Sequence, residues 1–332
     1  MERSTMFLSE MTIVDHAYIE TTGTVIGGSW NPSFLVSGKI DPVEKVVVDF
    51  STIKKQVKSY IDDDNVGFDH KLWVIDGFSG VTSYEVDGKE CTFDRLMDPD
   101  FICPNTPVTI TTPVNSITAP KNAFKFIKAK EGQVYNTETA GLWMAEYLNE
   151  IFACKNPMID CALAHNNLDQ DIEVVCKNTI NVHAYADPNV APVQYFTYTH
   201  GLKDSTSWGC QNLGHGHLSF IQIETAEPTH LTNNVTFKIA EALNNTTFIN
   251  KENVVGGSDD YVSIDYRSGR GRFSAKYLKS DELNKLVVLD TETTIEFLVD
   301  YIKETFAEEL SSIGATGIYV SEGLSKGAYI DL

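Results

Sequence analysis

The sequence predicts an α+β fold made of two similar units, in which antiparallel sheets carry helices on one face. Strand-like alternation of apolar and polar residues occurs in both halves, and amphipathic helical stripes accompany it. Short strings of sequence also repeat about half a chain apart. With 332 residues the chain is long enough for two ordinary domains. We therefore predict one domain over residues 10–187 and a second over residues 192–332.

The first half begins with strand-like segments and continues into a helix. Phe34–Ile40 and Val46–Phe50 read as two strands joined by a turn. Ser51 offers a helix cap, and the apolar residues of Thr52–Ile61 fall at helical spacing. A second helix is predicted to start at Thr137, where a long apolar stripe begins.

The remaining segments are less regular. Residues 76–130 fit either short strands or a long insertion, and residues 158–186 fit one or two strands. Proline and asparagine between residues 186 and 192 suggest a boundary. In the second half we predict a helix from about Thr293 to Glu309 and a strand at Gly317–Ser321.

Two pairs of similar strings support the internal repeat. Val134–Trp143 aligns with Val288–Phe297, and both contain Thr-Glu-Thr, which we place at the start of a helix. Val46–Phe50 resembles Val262–Tyr266, but at a larger spacing along the chain. The first half is therefore expected to carry an insertion relative to the second.

Composition and charge exclude several classes of function. The net charge of −20 argues against a nucleic-acid surface, and the N-terminal residues contain no apolar run typical of a signal peptide or a membrane span. The six cysteines form no Cys-x-x-Cys pair. Reduced thiols and a cytoplasmic location are the expectation.

Histidines and a cysteine cluster in residues 195–223. A predicted strand ends at His200, a polar loop carries Cys210, and a second strand opens with His215 and His217. Residues two apart on a strand face the same side, so three imidazoles could form a metal site with one open position. Histidines that merely fill strands are the alternative. Cys210 could be a fourth ligand, a nucleophile or base, or a buried apolar residue.

These motifs resemble the 6-pyruvoyl-tetrahydropterin synthase family, which includes the 6-carboxytetrahydropterin synthases of queuosine biosynthesis. The family's strand ending in histidine is matched by Phe196–His200, and its cysteine followed by His-Gly-His is matched by Cys210–His217. The resemblance implies two tandem tunnelling-fold units. Because the family builds closed barrels from several such units, it also implies a homo-oligomer.

The two halves share the family's motifs between them. The second half holds the histidines and Cys210, but no Asp-His lies between Tyr266 and Thr291. The first half has Asp69-His70, whereas Ser29-Trp30-Asn31-Pro32 stands where its His-Gly-His is expected. In the family the active site resembles a subunit seam, so a fusion that keeps one side in each half would explain both losses.

The resemblance also implies a reaction and roles for these residues. The substrate would be 7,8-dihydroneopterin triphosphate, which loses its triphosphate as its side chain rearranges. Zn²⁺ on the three histidines would act as a Lewis acid. Cys210 would be the base, and Asp69 and His70 would form a relay that sets its protonation.

Substrate contacts are implied for Glu322, which would bind the pterin, and for Thr137 and Glu138 at a helix start. Each has a plain structural alternative: Asp69-His70 as a charge pair at a helix end, Glu322 as a surface residue, and Thr137 and Glu138 as a cap. A basic segment could hold the triphosphate or simply be solvated; its arginines are Arg267, Arg270 and Arg272. The alternative functions are a catalytically inactive pterin- or purine-binding or assembly protein of the same fold, and another zinc lyase or hydrolase.

Overall fold

A computed structural model describes residues 2–98, 100–153, 172–182, 189–280 and 282–332. We call residues 3–179 the first half and residues 194–331 the second half. The elements of the first half are β1 (Arg3–Leu8), β2 (Val14–Ile19), β3 (Val25–Lys39), α1 (Phe50–Ile61), β4 (Lys71–Ile75), β5 (Ser83–Val86), β6 (Lys89–Cys91), α2 (Phe93–Met97), β7 (Pro107–Thr111), β8 (Asn115–Pro120), β9 (Phe124–Ile127), α3 (Thr137–Phe152) and β10 (Glu173–Thr179).

The second half begins at the strand that ends in His200. Its elements are β11 (Gln194–His200), β12 (His215–Thr225), α4 (His230–Leu243), β13 (Thr246–Asn250), β14 (Val254–Gly257), β15 (Tyr261–Ser268), β16 (Gly271–Leu278), β17 (Lys285–Leu289), α5 (Ile295–Thr305), α6 (Ala307–Ser312), β18 (Ala315–Glu322) and β19 (Lys326–Asp331). Short 3₁₀ turns precede β9 and β14.

The two halves repeat one sheet topology. The strand order β10-β3-β2-β4-β9 in the first half corresponds to β18-β12-β11-β13-β17 in the second. In each sheet the first two pairings are antiparallel and the last two are parallel. The predicted α+β class with two units is confirmed, and the sheets are mixed rather than purely antiparallel.

Helices cover one face of each repeated sheet. Ile53, Val57 and Ile61 of α1 are buried with the apolar side of α3 in the core of the first half. The helices α4 and α5 supply the equivalent core of the second half. None of the described helices is both long and apolar enough to cross a membrane.

A third sheet joins the halves. Its order is β14-β15-β16-β8-β7-β5-β6, and β8 of the first half pairs with β16 of the second. Within residues 76–130, β5–β8 are short strands of this sheet with α2 between β6 and β7, whereas β9 belongs to the repeated sheet of the first half. The predicted domain limits stay a prediction, because residues 154–171 and 183–188 lie outside the described part of the chain.

The hairpins β2–β3 and β11–β12 cross back to back at two glycines. A Cβ on Gly216 would lie 2.7 Å from Cα of Gly27, and one on Gly27 would lie 2.7 Å from the backbone nitrogen of His217. Glycine is required at this crossing, since any side chain would push the backbones apart. When Gly27 is aligned with Gly216, the strand registers make Tyr18, Ile26 and Gly28 the equivalents of His200, His215 and His217 in the repeat.

The true repeat differs from the one that the strings predicted. Ile26-Gly27-Gly28, and not Ser29–Pro32, stands where the second half has His-Gly-His. Thr137 starts α3, whereas the second Thr-Glu-Thr precedes α5, whose N-cap is Thr294. Val46–Phe50 lies outside any strand, because α1 begins at Phe50 with Asp49 as its cap.

Candidate active site

Three buried imidazoles form the centre of the site. His200 ends β11 directly opposite His215, which opens β12, and His217 follows two residues later on the same face. One ring nitrogen from each of these histidines lies within 4.8 Å of the other two. The Nε2 atoms of His200 and His217 are 3.2 Å apart.

The other ring nitrogen of each histidine faces an acceptor. Nδ1 of His200 lies 2.7 Å from the carbonyl oxygen of Thr293, and Nδ1 of His215 lies 2.9 Å from that of Asn212. Nδ1 of His217 is 3.3 Å from Oδ1 of Asp15, a charge contact without hydrogen-bond geometry. Since Nδ1 must carry the proton to donate to an oxygen, Nε2 of His200 and Nε2 of His215 are each left with a lone pair.

This arrangement fits a metal ion. The facing Nε2 atoms of His200 and His217 either share a proton or bind one cation, and Nε2 of His215 is buried without a hydrogen-bond partner. Nitrogen ligands of a tetrahedral Zn²⁺ are about 3.3 Å apart, given the usual Zn–N bond length. Burial lowers the pKa of His200 to about 3, which keeps this imidazole neutral.

Asp69 and His70 of the first half lie beside this cluster in the same chain. Nδ1 of His70 is 2.6 Å from Oδ2 of Asp69, and the ring centroids of His70 and His215 are 5.2 Å apart. The loop between α1 and β4 holds His70 at a φ of +52°, a strained conformation for histidine. Its backbone nitrogen donates to the carbonyl oxygen of Asp15 at 2.5 Å, which fixes this turn.

Cys210 completes the site. Its Sγ lies within 4.8 Å of ring nitrogens of both His70 and His215. Burial alone would raise the pKa of the Cys210 thiol, but the hydrogen bond and positive charge of His70 lower it overall. Burial likewise opposes protonation of His70, and the charge of Asp69 raises the pKa of His70 well above its usual value. The pair therefore favours thiolate and imidazolium.

Hydrogen bonds tie the loop of Cys210 to the loop of His70. Nδ2 of Asn212 donates to the carbonyl oxygen of His70 at 2.6 Å. A Cβ on Gly209 would lie 2.7 Å from Cβ of His70, so glycine lets the two loops touch. The hydroxyl of Tyr266 donates to the carbonyl oxygen of Gln211 at 2.8 Å, which anchors the thiol loop to β15.

Arg270 connects the same two loops. Its guanidinium is buried and donates to the carbonyl oxygens of Trp208 at 3.1 Å and Asp64 at 2.6 Å. Arg272 is paired with Asp265 on the surface. In the basic segment that was considered for the triphosphate, Arg270 therefore binds the two loops and Arg272 forms a surface salt bridge.

A cleft of about 440 Å³ opens beside His70, and its other lining residues include Asp15, Asn31, Lys58 and Lys326. Glu322 contacts one residue of this cleft: its Oε2 is 2.9 Å from Nζ of Lys326, and its Oε1 is 4.0 Å from Nε2 of His217. The side chain of Glu322 is 15% exposed, so this residue is largely buried and is not a solvated residue of the surface.

Thr137 and Glu138 occupy the exposed first turn of α3. Their described contacts include none of the three histidines and not Cys210. The residue that contacts His200 belongs instead to the second Thr-Glu-Thr, through the carbonyl oxygen of Thr293. Substrate binding by Thr137 and Glu138 stays a prediction of the resemblance.

Sequence reasoning missed three residues that hold the site: Asp15, Asn212 and Thr293. Asn212 and Thr293 orient the histidines through backbone carbonyls, which leave no side-chain signal in a sequence. Asp15 precedes His16 in an ordinary-looking strand, and only the crossing of the hairpins brings it to His217.

No protein-family profile and no curated protein matches the chain. Among solved structures, it is similar to a catalytic-residue mutant of Plasmodium vivax 6-pyruvoyltetrahydropterin synthase, with a TM-score of 0.32 and 16% identity over 54% of this chain and 99% of that one. The enzyme from Plasmodium falciparum gives 0.31 and 16% over 52% and 90%. An uncharacterized protein from Wolinella succinogenes gives 0.29 and 17% over 43% and 98%. Likenesses at this level leave substrate and reaction to be argued from the side chains.

Proposed function

We propose that the chain is a zinc-dependent pterin synthase that acts on 7,8-dihydroneopterin triphosphate and eliminates its triphosphate. One observation supports this above all: Asp69 and His70 of the first half meet Cys210 and the three histidines of the second half within one chain. A base, a relay that sets its protonation and a three-nitrogen metal site form the set of groups that such a reaction needs.

The metal site supplies electrostatic stabilisation. Bound at His200, His215 and His217, Zn²⁺ would act as a Lewis acid toward side-chain oxygens of the substrate. The hydrogen bonds at Nδ1 orient the rings of His200 and His215 and keep them in the ligating tautomer. Their burial excludes water, which strengthens every charge interaction at this point.

Proton transfer falls to Cys210 and His70. The thiolate of Cys210 abstracts a proton from a substrate carbon that bears a hydroxyl group. His70 holds the positive charge that lowers the pKa of the thiol, and Asp69 fixes the ring of His70 at 2.6 Å. After abstraction, the thiol returns its proton to the rearranged side chain or to water.

Recognition of the substrate falls to the cleft beside His70. Glu322 accepts hydrogen bonds from the amino and ring N–H groups of a pterin, a polar match that rejects analogues lacking these donors. Lys58 and Lys326 line the same cleft and would bind the triphosphate in competition with the carboxylates they already contact, Asp62 and Glu322.

Release of triphosphate from 7,8-dihydroneopterin triphosphate tests this proposal. Purified full chain loaded with Zn²⁺ is incubated with the substrate, and triphosphate is measured by ion chromatography. We expect turnover, with the mass of the pterin product deciding between the pyruvoyl and the carboxy outcome. Substrate binding without released triphosphate would contradict a synthase and favour the non-catalytic binding protein.

Native mass spectrometry of the same sample tests the proposed homo-oligomer. The resemblance predicts a closed assembly of several chains. A monomer with full turnover would separate assembly from catalysis, since all the named groups come from one chain.

A further inference from the structure

Asp15 lies on β2 of the first half but its side chain reaches the histidine cluster of the second half. It is 3% exposed, and Oδ1 is 3.3 Å from Nδ1 of His217. The hydroxyl of Ser29 donates to the same oxygen at 2.5 Å. A Cβ on Gly323 would lie 2.6 Å from this oxygen, so the glycine leaves room for the carboxylate.

The backbone of Asp15 contacts the other part of the site. Its N–H donates to Oδ1 of Asp69 at 2.9 Å, and its carbonyl oxygen accepts from the backbone N–H of His70 at 2.5 Å. Asp15 therefore contacts His217 of the histidine cluster through its side chain, and it contacts Asp69 and His70 through its main chain.

The three histidines have unequal partners at Nδ1. His200 and His215 donate to neutral carbonyl oxygens, whereas His217 faces a carboxylate. A carboxylate at Nδ1 makes the imidazole a stronger base at Nε2 and so a stronger ligand. Thr197 occupies the position of Asp15 in the repeat, opposite Leu218, and has no charge to offer.

We propose that Asp15 is a positioning residue that sets metal affinity through His217 and links the metal centre to the turn that carries His70. This inference depends on the metal centre of the proposed function, but not on the reaction. It adds a carboxylate from the opposite half of the chain to the three histidines.

The test measures Zn²⁺ affinity by competition with a chelator, using the full chain and Asp15→Asn. The amide keeps the shape and can still accept from Ser29, but it removes the charge at His217. We expect Zn²⁺ to bind about 10- to 100-fold more weakly. Glu10→Gln is the matched control, because Glu10 lines the same cleft; its affinity should equal that of the unmodified chain.

A second readout needs no variant. In the zinc-loaded chain, ¹H–¹⁵N spectroscopy should show the Nδ1 proton of His217 further downfield than those of His200 and His215. Unchanged affinity in a folded Asp15→Asn chain, or equal proton shifts for the three rings, would overturn the inference and leave the proposed function standing. If the unmodified chain binds no Zn²⁺, the metal centre of the proposed function fails first, and this inference fails with it.

Discussion

The repeated halves place very different side chains at equivalent positions of one scaffold. Where the second half has His200, His215 and His217, the first half has Tyr18, Ile26 and Gly28. The rings of Tyr18 and Tyr135 stack at 3.7 Å, and Nε2 of His16 lies 2.6 Å from the hydroxyl of Tyr135. We call His16, Tyr18, Trp30, Trp73 and Tyr135 the aromatic cluster.

The aromatic cluster fills the space that a metal site would need. A Cβ on Gly28 would lie 2.8 Å from the hydroxyl of Tyr135 and 2.9 Å from Nε2 of His16. A ligand side chain at Gly28 would therefore collide with the cluster. The loop between β2 and β3 spans only residues 20–24, whereas the loop that carries Cys210 spans residues 201–214.

The turns before β4 and β13 also differ, but here it is the first half that carries the ionisable residues. Asn244-Asn245 stands where the first half has Asp69-His70: Oδ1 of Asn244 accepts from the N–H of Thr197 at 2.9 Å, and Asn245 has a φ of +59°. The scaffold thus keeps the strained turn in both halves and puts ionisable groups in only one. The repeat thus relates two positions in the fold. One holds the three histidines beside Asp69-His70, and the other is filled by the aromatic cluster.

The largest expected effect on turnover comes from replacing His70 with asparagine, the residue found at the equivalent position 245. His70→Asn should reduce triphosphate release by about 100- to 10,000-fold, the usual contribution of acid–base groups. The fold should survive, because asparagine tolerates this backbone conformation, as Asn245 shows. Steady-state kinetics and circular dichroism measure both.

Asn245→His is the matched control for that substitution. It introduces imidazole at the turn that does not face Cys210, so turnover should stay at the level of the unmodified chain. A His70→Asn chain with unchanged turnover would show that the two turns are functionally alike and would remove the relay.

The second-largest expected effect is on the Zn²⁺ content, which should distinguish the histidine cluster from the aromatic cluster. The comparison predicts one Zn²⁺ per chain, lost in His215→Ala and retained in His16→Ala and in Cys210→Ala. Elemental analysis by mass spectrometry after dialysis measures it. Loss of Zn²⁺ in His16→Ala would contradict a packed aromatic cluster.

The pH dependence of thiol alkylation sharpens the comparison further. Because the pKa of Cys210 is lowered, its thiolate should persist below the pH at which a free thiol, with a pKa of about 8.5, becomes protonated. In the metal-free chain its alkylation rate should therefore fall at lower pH than that of Cys91, whose pKa burial raises. His70→Asn should move the midpoint for Cys210 upward, as followed by peptide mass spectrometry; an unmoved midpoint would separate the thiol from His70.

The smallest effect is expected from the connection between the loops. Arg270→Lys cannot reach the carbonyl oxygens of Trp208, Asp64 and Asn122 together. Leaving buried acceptors unpaired should cost about 1–3 kcal/mol of unfolding free energy. Urea denaturation measures this cost. Arg272→Lys on the surface is the control, and equal midpoints for both variants would contradict the role of Arg270.

The sequence predicted which candidate residues lie close together better than it predicted the repeat that positions them. The histidines, Cys210 and Asp69-His70 stand out because chemistry restricts the residue types at these places, and the structure brings them together. The repeat was placed on short strings, and these matched the wrong positions. The backbone register of the strands decides which positions of the two halves are equivalent. Gly27 and Gly216 mark this register, but glycines give almost no signal in a sequence.

Contacts made by backbone atoms were also beyond the sequence. Thr293 and Asn212 orient histidines through carbonyl oxygens, which every residue possesses. Arg270 read as part of a flexible basic segment, yet burial and three carbonyl acceptors hold it. The strand pairing of residues 76–130 with the second half depends on long-range contacts that local patterns do not encode.

Cross-linking between positions 70 and 210 tests most directly whether one chain supplies both sides of the site. His70→Cys chains, unlabelled and ¹⁵N-labelled, are mixed under conditions that allow exchange and treated with a short reagent that alkylates two thiols. We predict linked peptides in which both members carry the same isotope, because both residues lie in one chain. Linked peptides of mixed isotope, or no link to Cys210 while other thiols react, would contradict this account.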